Sequence, residues 1–138
     1  MKLGISSWTY TWAVGVGEYR PPRPLTPFDL LDRADALGVR VLQVADNLPL
    51  DGLTAAELAA FGADAARRGI TLEVGAKGLT VAHMRRYLEI CGVVGARLLR
   101  VVIDSPGDEP EPDEVVARLH VLVPELASAG VTLGIENH

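Results

Sequence analysis

The chain has 138 residues, of which 49% are hydrophobic and 22% are charged, a composition typical of one globular domain. Its formal net charge of −5 excludes a strongly basic surface, so we expect no nucleic-acid partner. No apolar run approaches the roughly 18 residues that a membrane helix needs, and the first residues carry no signal-peptide pattern. Because the single Cys91 cannot form an internal disulfide, the composition favours a cytoplasmic protein without a membrane partner.

Strands and helices are predicted to alternate along the whole chain. Apolar runs with a period of two predict strands, and apolar positions at helical spacing predict helices. In chain order we expect strand 2–8, helix 27–37, strand 39–46, helix 55–68, strand 71–76, helix 80–94, strand 97–104, helix 112–129 and strand 131–136.

Local signals mark where the predicted helices begin and end. Thr26 is a candidate N-cap followed by Pro27, and Thr54 with Glu57 matches a capping box. A glycine stands just past the end of each helix, where a left-handed backbone costs glycine little. These glycines are Gly38, Gly69, Gly95 and Gly130.

Strands that alternate with helices indicate a parallel sheet, built either as an open doubly wound sheet or as a (β/α)8 barrel. A dinucleotide-binding sheet places a glycine fingerprint after its first strand, but "GISSWTYTWAVGVGEYR" has bulky aromatic residues there. We therefore predict an α/β fold, a partial (β/α)8 TIM barrel of about five parallel strands and four helices, with residues 1–138 forming a single domain. A complete barrel takes about 250 residues, so the prediction is of its N-terminal portion.

Alternation also predicts which strand side chains face the inside of the barrel. Glu73 and Arg100 both fall on the inward face of neighbouring strands. Because an unpaired buried charge is costly, we expect these two side chains to form a structural ion pair inside the barrel.

Four segments of the chain resemble one known family. "MKLGISSWTYTW", "LGVRVLQVADN", "LEVGAKG" and "VTLGIENH" are similar to the first, second, third and fifth strands of the xylose isomerase-like TIM barrels, specifically the sugar phosphate isomerase/epimerase family. The resemblance covers the whole chain and reaches the fifth strand of that family. It implies an enzyme that moves a proton next to the carbonyl of a sugar or sugar phosphate.

The same resemblance implies a divalent metal ion, manganese, magnesium or zinc, at the C-terminal mouth of the barrel. Family members hold it with a Glu at strand five, an Asp after strand six, a His at strand seven and a Glu at strand eight. Glu136 matches the first of these ligands, and the resemblance makes it both metal ligand and catalytic base. The other three ligands have no counterpart here, so we expect an incomplete metal site and a chain that is inactive alone.

Other polar and aromatic residues lie at or just after the ends of the predicted strands and are candidates for substrate binding. Trp8 is a candidate aromatic wall against the sugar, although core packing of its loop explains it about as well. Asn47, Lys77 and His138 are candidate hydrogen-bond partners for a polyol, against the simpler alternative of solvated loop residues. The acidic loop that begins at Asp104 is explained by turn formation and helix capping.

Three alternatives stay open beside the isomerase or epimerase. A polyol dehydratase uses related chemistry on the same fold. An abasic-site endonuclease is disfavoured, because that branch uses several histidines where this chain has Asp46, Asn47 and Lys77. The third alternative is a noncatalytic half-barrel that closes by self-association or with a partner, and with either role we expect a homo-oligomer.

Overall fold

A computed structural model describes residues 2–136 of the chain. Its strands are β1 (Gly4–Ser6), β2 (Val41–Val44), β3 (Thr71–Lys77), β4 (Leu98–Val102) and β5 (Thr132–Glu136). Its helices are α1 (Thr11–Val14), α2 (Pro27–Ala36), α3 (Ala55–Arg67), α4 (Val81–Val94) and α5 (Pro112–Ala129), with a 3-10 helix at Ser7–Tyr10. No helix within these residues has the length and hydropathy needed to cross a membrane.

The five strands form one parallel sheet in the order β1-β2-β3-β4-β5. Each strand pairs with the strand that follows it in the chain, as in a (β/α)8 barrel. A doubly wound sheet would instead reverse its strand order at one point. The sheet order therefore decides between the two predicted architectures in favour of the barrel.

The helix boundaries follow the predicted caps. Thr26 Oγ1 accepts a hydrogen bond from the Asp29 backbone N–H at 3.1 Å, and the Asp29 carboxylate accepts one from the Thr26 N–H at 2.9 Å. Thr54 and Glu57 form the same capping box at the start of α3. The four glycines predicted to end helices all have positive φ angles, between 63° and 76°. Local signals thus account for these helix ends.

The main core lies between the sheet and its helices. The strand residues on this face are at most 4% exposed: Leu42, Val44, Leu72, Val74, Leu99 and Val101. In the helix layer, Phe28 of α2 and Phe61 of α3 pack edge to face with ring centroids 5.4 Å apart. Gly62 of α3 lies so close to α4 that a Cβ there would be 2.7 Å from Val94 Cα. The strand residues between these face the other way, onto the concave side of the sheet.

The segment after β1 differs from its prediction. The strand expected at 2–8 ends at Ser6, and the chain continues as the 3-10 helix and the four-residue α1, so the described residues contain five α-helices rather than four. Ser6 Oγ accepts a hydrogen bond from the Trp8 N–H at 3.4 Å, which caps the 3-10 helix. The fully buried Ser7 accepts a hydrogen bond from the Ala45 N–H at 2.9 Å. These two serine contacts turn the chain inside the segment where the apolar alternation predicts the end of the strand.

Candidate active site

A cleft of about 580 Å³ opens at the C-terminal ends of the strands. Every strand contributes to it, either from its last residues or from the loop that follows. The lining residues are Ser6, Trp8, Gln43, Asp46, Lys77, Arg100, Val102 and Glu136. Because active sites of TIM barrels lie at this end of the strands, the cleft is the candidate active site.

Strand register places three of these residues in one row and Arg100 in the next row on the same face of the sheet. Lys77, Val102 and Glu136 are aligned across β3, β4 and β5. The row below consists of Gly75, Arg100 and Gly134, so Arg100 has a glycine on each neighbouring strand. No neighbouring side chain in its own row crowds the Arg100 side chain.

Arg100 lies among the acidic residues of the cleft. Its guanidinium forms an ion pair with the Glu136 carboxylate, and its Nη1 lies 4.0 Å from Asp46 Oδ1. The side chain is 19% exposed. Opposite charges at such distances attract, and partial burial weakens screening by solvent. Arg100 therefore links the end of β5 to the loop after β2 by electrostatic attraction.

The predicted Glu73–Arg100 ion pair is wrong. Arg100 is aligned with Gly75 rather than with Glu73, and its guanidinium interacts with Glu136 and Asp46 near the strand ends. Glu73 instead accepts a hydrogen bond from Gln43 Nε2 at 3.4 Å. The prediction placed both residues on the correct face, but the register separates them by one row.

The structure brings Trp8 into the cleft. Its indole Nε1 donates a hydrogen bond to Asp46 Oδ1 at 3.2 Å, while 46% of the residue stays exposed. Ser6 Oγ donates to Gln43 Oε1 at 3.2 Å beside it. Trp8 thus presents an aromatic surface whose polar edge is already bound to the protein, an arrangement suited to packing against an apolar ligand face.

Asn47 lies outside the cleft lining. Ser7 Oγ donates to Asn47 Oδ1 at 2.5 Å, which ties the loop after β1 to the loop after β2. Asn47 Nδ2 is buried and has no hydrogen-bond partner among residues 2–136. Its role in substrate binding stays a prediction. His138, the other predicted polyol partner, lies outside the described residues.

Residues 2–136 do not by themselves fit a divalent metal ion. They contain no cluster of three or more His, Cys, Asp or Glu side chains that would hold one. The predicted ligand Glu136 has its carboxylate in the ion pair with Arg100. Within the described part of the chain, Arg100 supplies the positive charge next to Glu136.

Two residues of α4 lie away from the cleft. Cys91 is fully buried, and burial raises the pKa of its thiol to about 12. His83 lies in the first turn of α4, half-buried, with its ring 4.8 Å from the Tyr87 ring. Neither residue lines the cleft.

Sequence reasoning did not identify Ser6, Gln43, Arg100 and Val102 as residues of the cleft. Alternation placed Arg100 on the inward face, so the signal for it was present. The ion-pair partner of Arg100 was not predictable, because it depends on the register between neighbouring strands. Gln43 and Ser6 likewise follow the period-two pattern on β2 and β1.

The chain is similar to one curated decarboxylase and to several solved structures. It is 30% identical over 138 residues to a 3-oxo-isoapionate decarboxylase from Pectobacterium atrosepticum, which covers 100% of this chain and 49% of the relative. A solved structure of D-psicose 3-epimerase in the presence of D-fructose superposes with a TM-score of 0.68 at 18% identity, covering 100% of this chain and 55% of that one. The zinc-containing structure of the IOLI protein gives a TM-score of 0.59 at 15% identity, covering 98% and 51%. No model of a known protein family matches the chain.

These similarities confirm the predicted fold. The chain has the xylose isomerase-like TIM-barrel fold, as a partial barrel of five parallel strands. It spans about half the length of the proteins it matches. The fold is one on which sugar-modifying enzymes are built.

Proposed function

We propose that the protein is a sugar isomerase or epimerase, or a part of one, that transfers a proton next to the carbonyl of a small sugar or sugar phosphate. The observation that carries the proposal is the position of Glu136, whose carboxylate lines the cleft at the C-terminal end of β5. A carboxylate at this end of a barrel strand is well placed to act as a base. The similarity to D-psicose 3-epimerase supports this class of reaction.

The residues of the cleft suggest how the proton would move. Glu136 would accept the proton from the carbon next to the carbonyl, and the electron pair of that C–H bond would form an enediolate. Return of the proton to the neighbouring carbon, with the hydroxyl proton moving to the former carbonyl oxygen, completes an isomerisation. An epimerisation instead requires a second acid that delivers a proton to the opposite face of the same carbon, because Glu136 faces only one side of it. The Lys77 ammonium would stabilise the negative charge that develops on the enediolate oxygen. Trp8 would pack against the apolar face of the sugar.

The family resemblance implies a divalent ion, manganese, magnesium or zinc, and the proton transfer proposed for Glu136 does not involve it. Residues 2–136 lack the donor set for one, and Glu136 is engaged by Arg100. Titration with Mn²⁺ followed by calorimetry tests this point. We expect weak binding that Glu136→Gln does not change, whereas strong binding that this variant abolishes would place the ion at Glu136.

Decarboxylation of a 3-oxo sugar acid is a second candidate. The 30% identical relative named 3-oxo-isoapionate decarboxylase favours it, and so do the two cations of the cleft, Lys77 and Arg100. In this reaction the bond between the carboxylate and the carbon next to the ketone breaks, and CO₂ leaves. The electron pair forms an enolate, which then takes up a proton. Because both reactions place negative charge on the same oxygen, one cleft suits either of them.

Deuterium exchange separates the two candidates. The protein is incubated with D-fructose in D₂O for days, and NMR follows deuterium at the carbons next to the carbonyl. We expect slow exchange that Glu136→Gln abolishes, since the 138 residues are expected to be inactive or nearly so alone. Release of CO₂ from a 3-oxo sugar acid without ketose exchange would favour the decarboxylase. Turnover as fast as that of a complete sugar epimerase would contradict the incomplete site.

The predicted homo-oligomer is part of the same proposal. Light scattering on the purified protein measures its assembly state directly. A particle of one chain would contradict self-association, and it would also count against the noncatalytic half-barrel that closes with a second copy.

A further inference from the structure

We propose that Lys77 and Arg100 form a subsite for a carboxylate group of the substrate, so that the cleft selects a sugar acid over an uncharged sugar. The inference rests on the proposed function, because it concerns the same cleft and the same bound sugar. It adds the chemical class of the substrate and the two side chains that recognise it.

Lys77 is the first half of the subsite. It is the last residue of β3, it lines the cleft, and it is exposed to solvent there. Within residues 2–136 its ammonium group has no ion-pair partner. A hydroxyl-rich neutral ligand gains little from a free ammonium group, whereas a carboxylate forms a charge-assisted hydrogen bond with it.

Arg100 is the second half. Its Nη1 has Asp46 at 4.0 Å, which is beyond hydrogen-bond length, so this part of the guanidinium keeps donors for a ligand. The planar guanidinium matches both oxygens of a carboxylate. Gly75 and Gly134, aligned with Arg100 on the two neighbouring strands, place no side chain beside it in its row. Arg100 can therefore exchange part of its contact with Glu136 for a contact with the substrate.

The charge of the cleft favours a carboxylate over a phosphate. Asp46 and Glu136 balance Lys77 and Arg100, so the cleft lining is neutral although the chain carries −5. A carboxylate brings one negative charge close to those two acids. A phosphate brings about 1.5 to 2 negative charges, and a neutral lining supplies no net positive charge to offset the larger cost of removing that group from water.

Equilibrium binding of three open-chain polyols tests the subsite. D-glucitol is uncharged, D-gluconate carries a carboxylate in place of one CH₂OH group, and D-glucitol 6-phosphate carries a phosphate. Calorimetry gives the Kd of each. We expect D-gluconate to bind about tenfold more tightly than D-glucitol, and D-glucitol 6-phosphate to bind less tightly than D-gluconate. Raising the salt concentration should weaken only the charged ligands.

Two matched variants assign the effect to the subsite. Lys77→Gln should remove most of the tenfold preference for D-gluconate over D-glucitol. Lys2→Gln makes the same chemical change at the other lysine of the chain, which lies ahead of β1 and does not line the cleft, and it should change nothing. Arg100→Lys keeps the charge but loses the planar fork, and it should reduce the preference in part.

The results separate failure of the subsite from failure of the proposed function. Equal binding of D-gluconate and D-glucitol would overturn the subsite, and so would a preference for D-gluconate that persists in Lys77→Gln. Neither result would contradict the proposed sugar-enzyme function. Tighter binding of the phosphate would overturn the carboxylate assignment. Absence of binding by all three polyols would overturn the subsite together with the proposed function.

Discussion

The two faces of the sheet use the same strands for different purposes. On β4, Leu99 and Val101 point toward the helices and are 0% exposed, whereas Arg100 and Val102 line the cleft on the concave face. The helix-facing residues contribute burial of apolar surface, and the concave-face residues contribute charge and hydrogen-bonding groups. Substitutions one position apart on a single strand should therefore have different consequences.

The largest expected effect comes from truncating the helix-facing side of β4. Leu99 is fully buried against residues of α4 and α5, including Met84 and Leu122. Leu99→Ala should lower the free energy of unfolding by about 3 kcal/mol, because it removes buried methyl groups and leaves a cavity. Leu98→Ala, on the half-buried concave side, should cost about 1 kcal/mol. Urea unfolding measures both, and equal losses at the two positions would contradict the division between the faces.

The second effect tests packing within the helix layer. A Cβ at Gly62 would lie 2.7 Å from Val94 Cα, and a backbone atom cannot easily move away. Gly62→Ala should therefore lower the free energy of unfolding by about 1 to 3 kcal/mol, despite the higher helix propensity of alanine. Gly92→Ala, on an exposed part of α4 with no atom within 4 Å, should raise it by about 0.5 to 1 kcal/mol. Thermal unfolding of both variants would show opposite shifts in Tm, and shifts of the same sign would count against close helix contact at Gly62.

A smaller effect is expected from pH, through the acids that cap helices. Hydrogen bonds from Thr26 lower the pKa of Asp29, and hydrogen bonds from Thr54 lower the pKa of Glu57. An acid with a lowered pKa in the folded state stabilises that state fully above its unfolded pKa, and the stabilisation is lost as pH falls through the folded pKa. The free energy of unfolding should thus be flat above about pH 5 and decrease below it.

Variants of the caps check the origin of this pH dependence. Thr54→Val removes the hydroxyl that bonds to Glu57 and should make the decrease shallower. Val93→Ala, at an exposed position of α4, leaves both caps intact and should not change how steeply the free energy of unfolding falls with pH. An unchanged slope in Thr54→Val, measured by urea unfolding from about pH 3 to pH 7, would show that other acids dominate.

The smallest effect on stability is expected at the aromatic side of the cleft. Trp8→Phe loses the hydrogen bond to Asp46 at a residue that is 46% exposed, so the free energy of unfolding should change by less than about 1 kcal/mol. Binding of D-glucitol, measured by calorimetry, should nevertheless weaken. Trp12→Phe is the control, since Trp12 is 70% exposed and does not line the cleft. Loss of D-glucitol binding in Trp12→Phe but not in Trp8→Phe would indicate that the sugar binds away from Trp8.

The regular elements were largely predictable because their signals are local. The helix predicted at 55–68 is Ala55–Arg67, bounded by the Thr54 cap and Gly69. The helix predicted at 112–129 was correct at both ends. A cap or a glycine acts through bonds to residues within one turn, so the sequence alone contains the information.

The candidate site was predictable only in part, because it depends on contacts between distant segments. Glu136 and Lys77 end β5 and β3, Trp8 lies just after β1, and the family resemblance or their position singled them out. The turn after β1 depends on Ser7 meeting Ala45, 38 residues further on. The partners of Arg100 depend on strand register, which no local pattern specifies.

The consecutive strand order also affects how the protein forms during synthesis. Every pair in the sheet joins strands that follow each other in the chain. The first pair, β1 with β2, needs only the residues up to Val44, and each later strand finds the edge of the preceding one already present. Each strand from β2 to β5 can therefore pair with a strand that has already been made, so this part of the sheet can be assembled in the direction of translation.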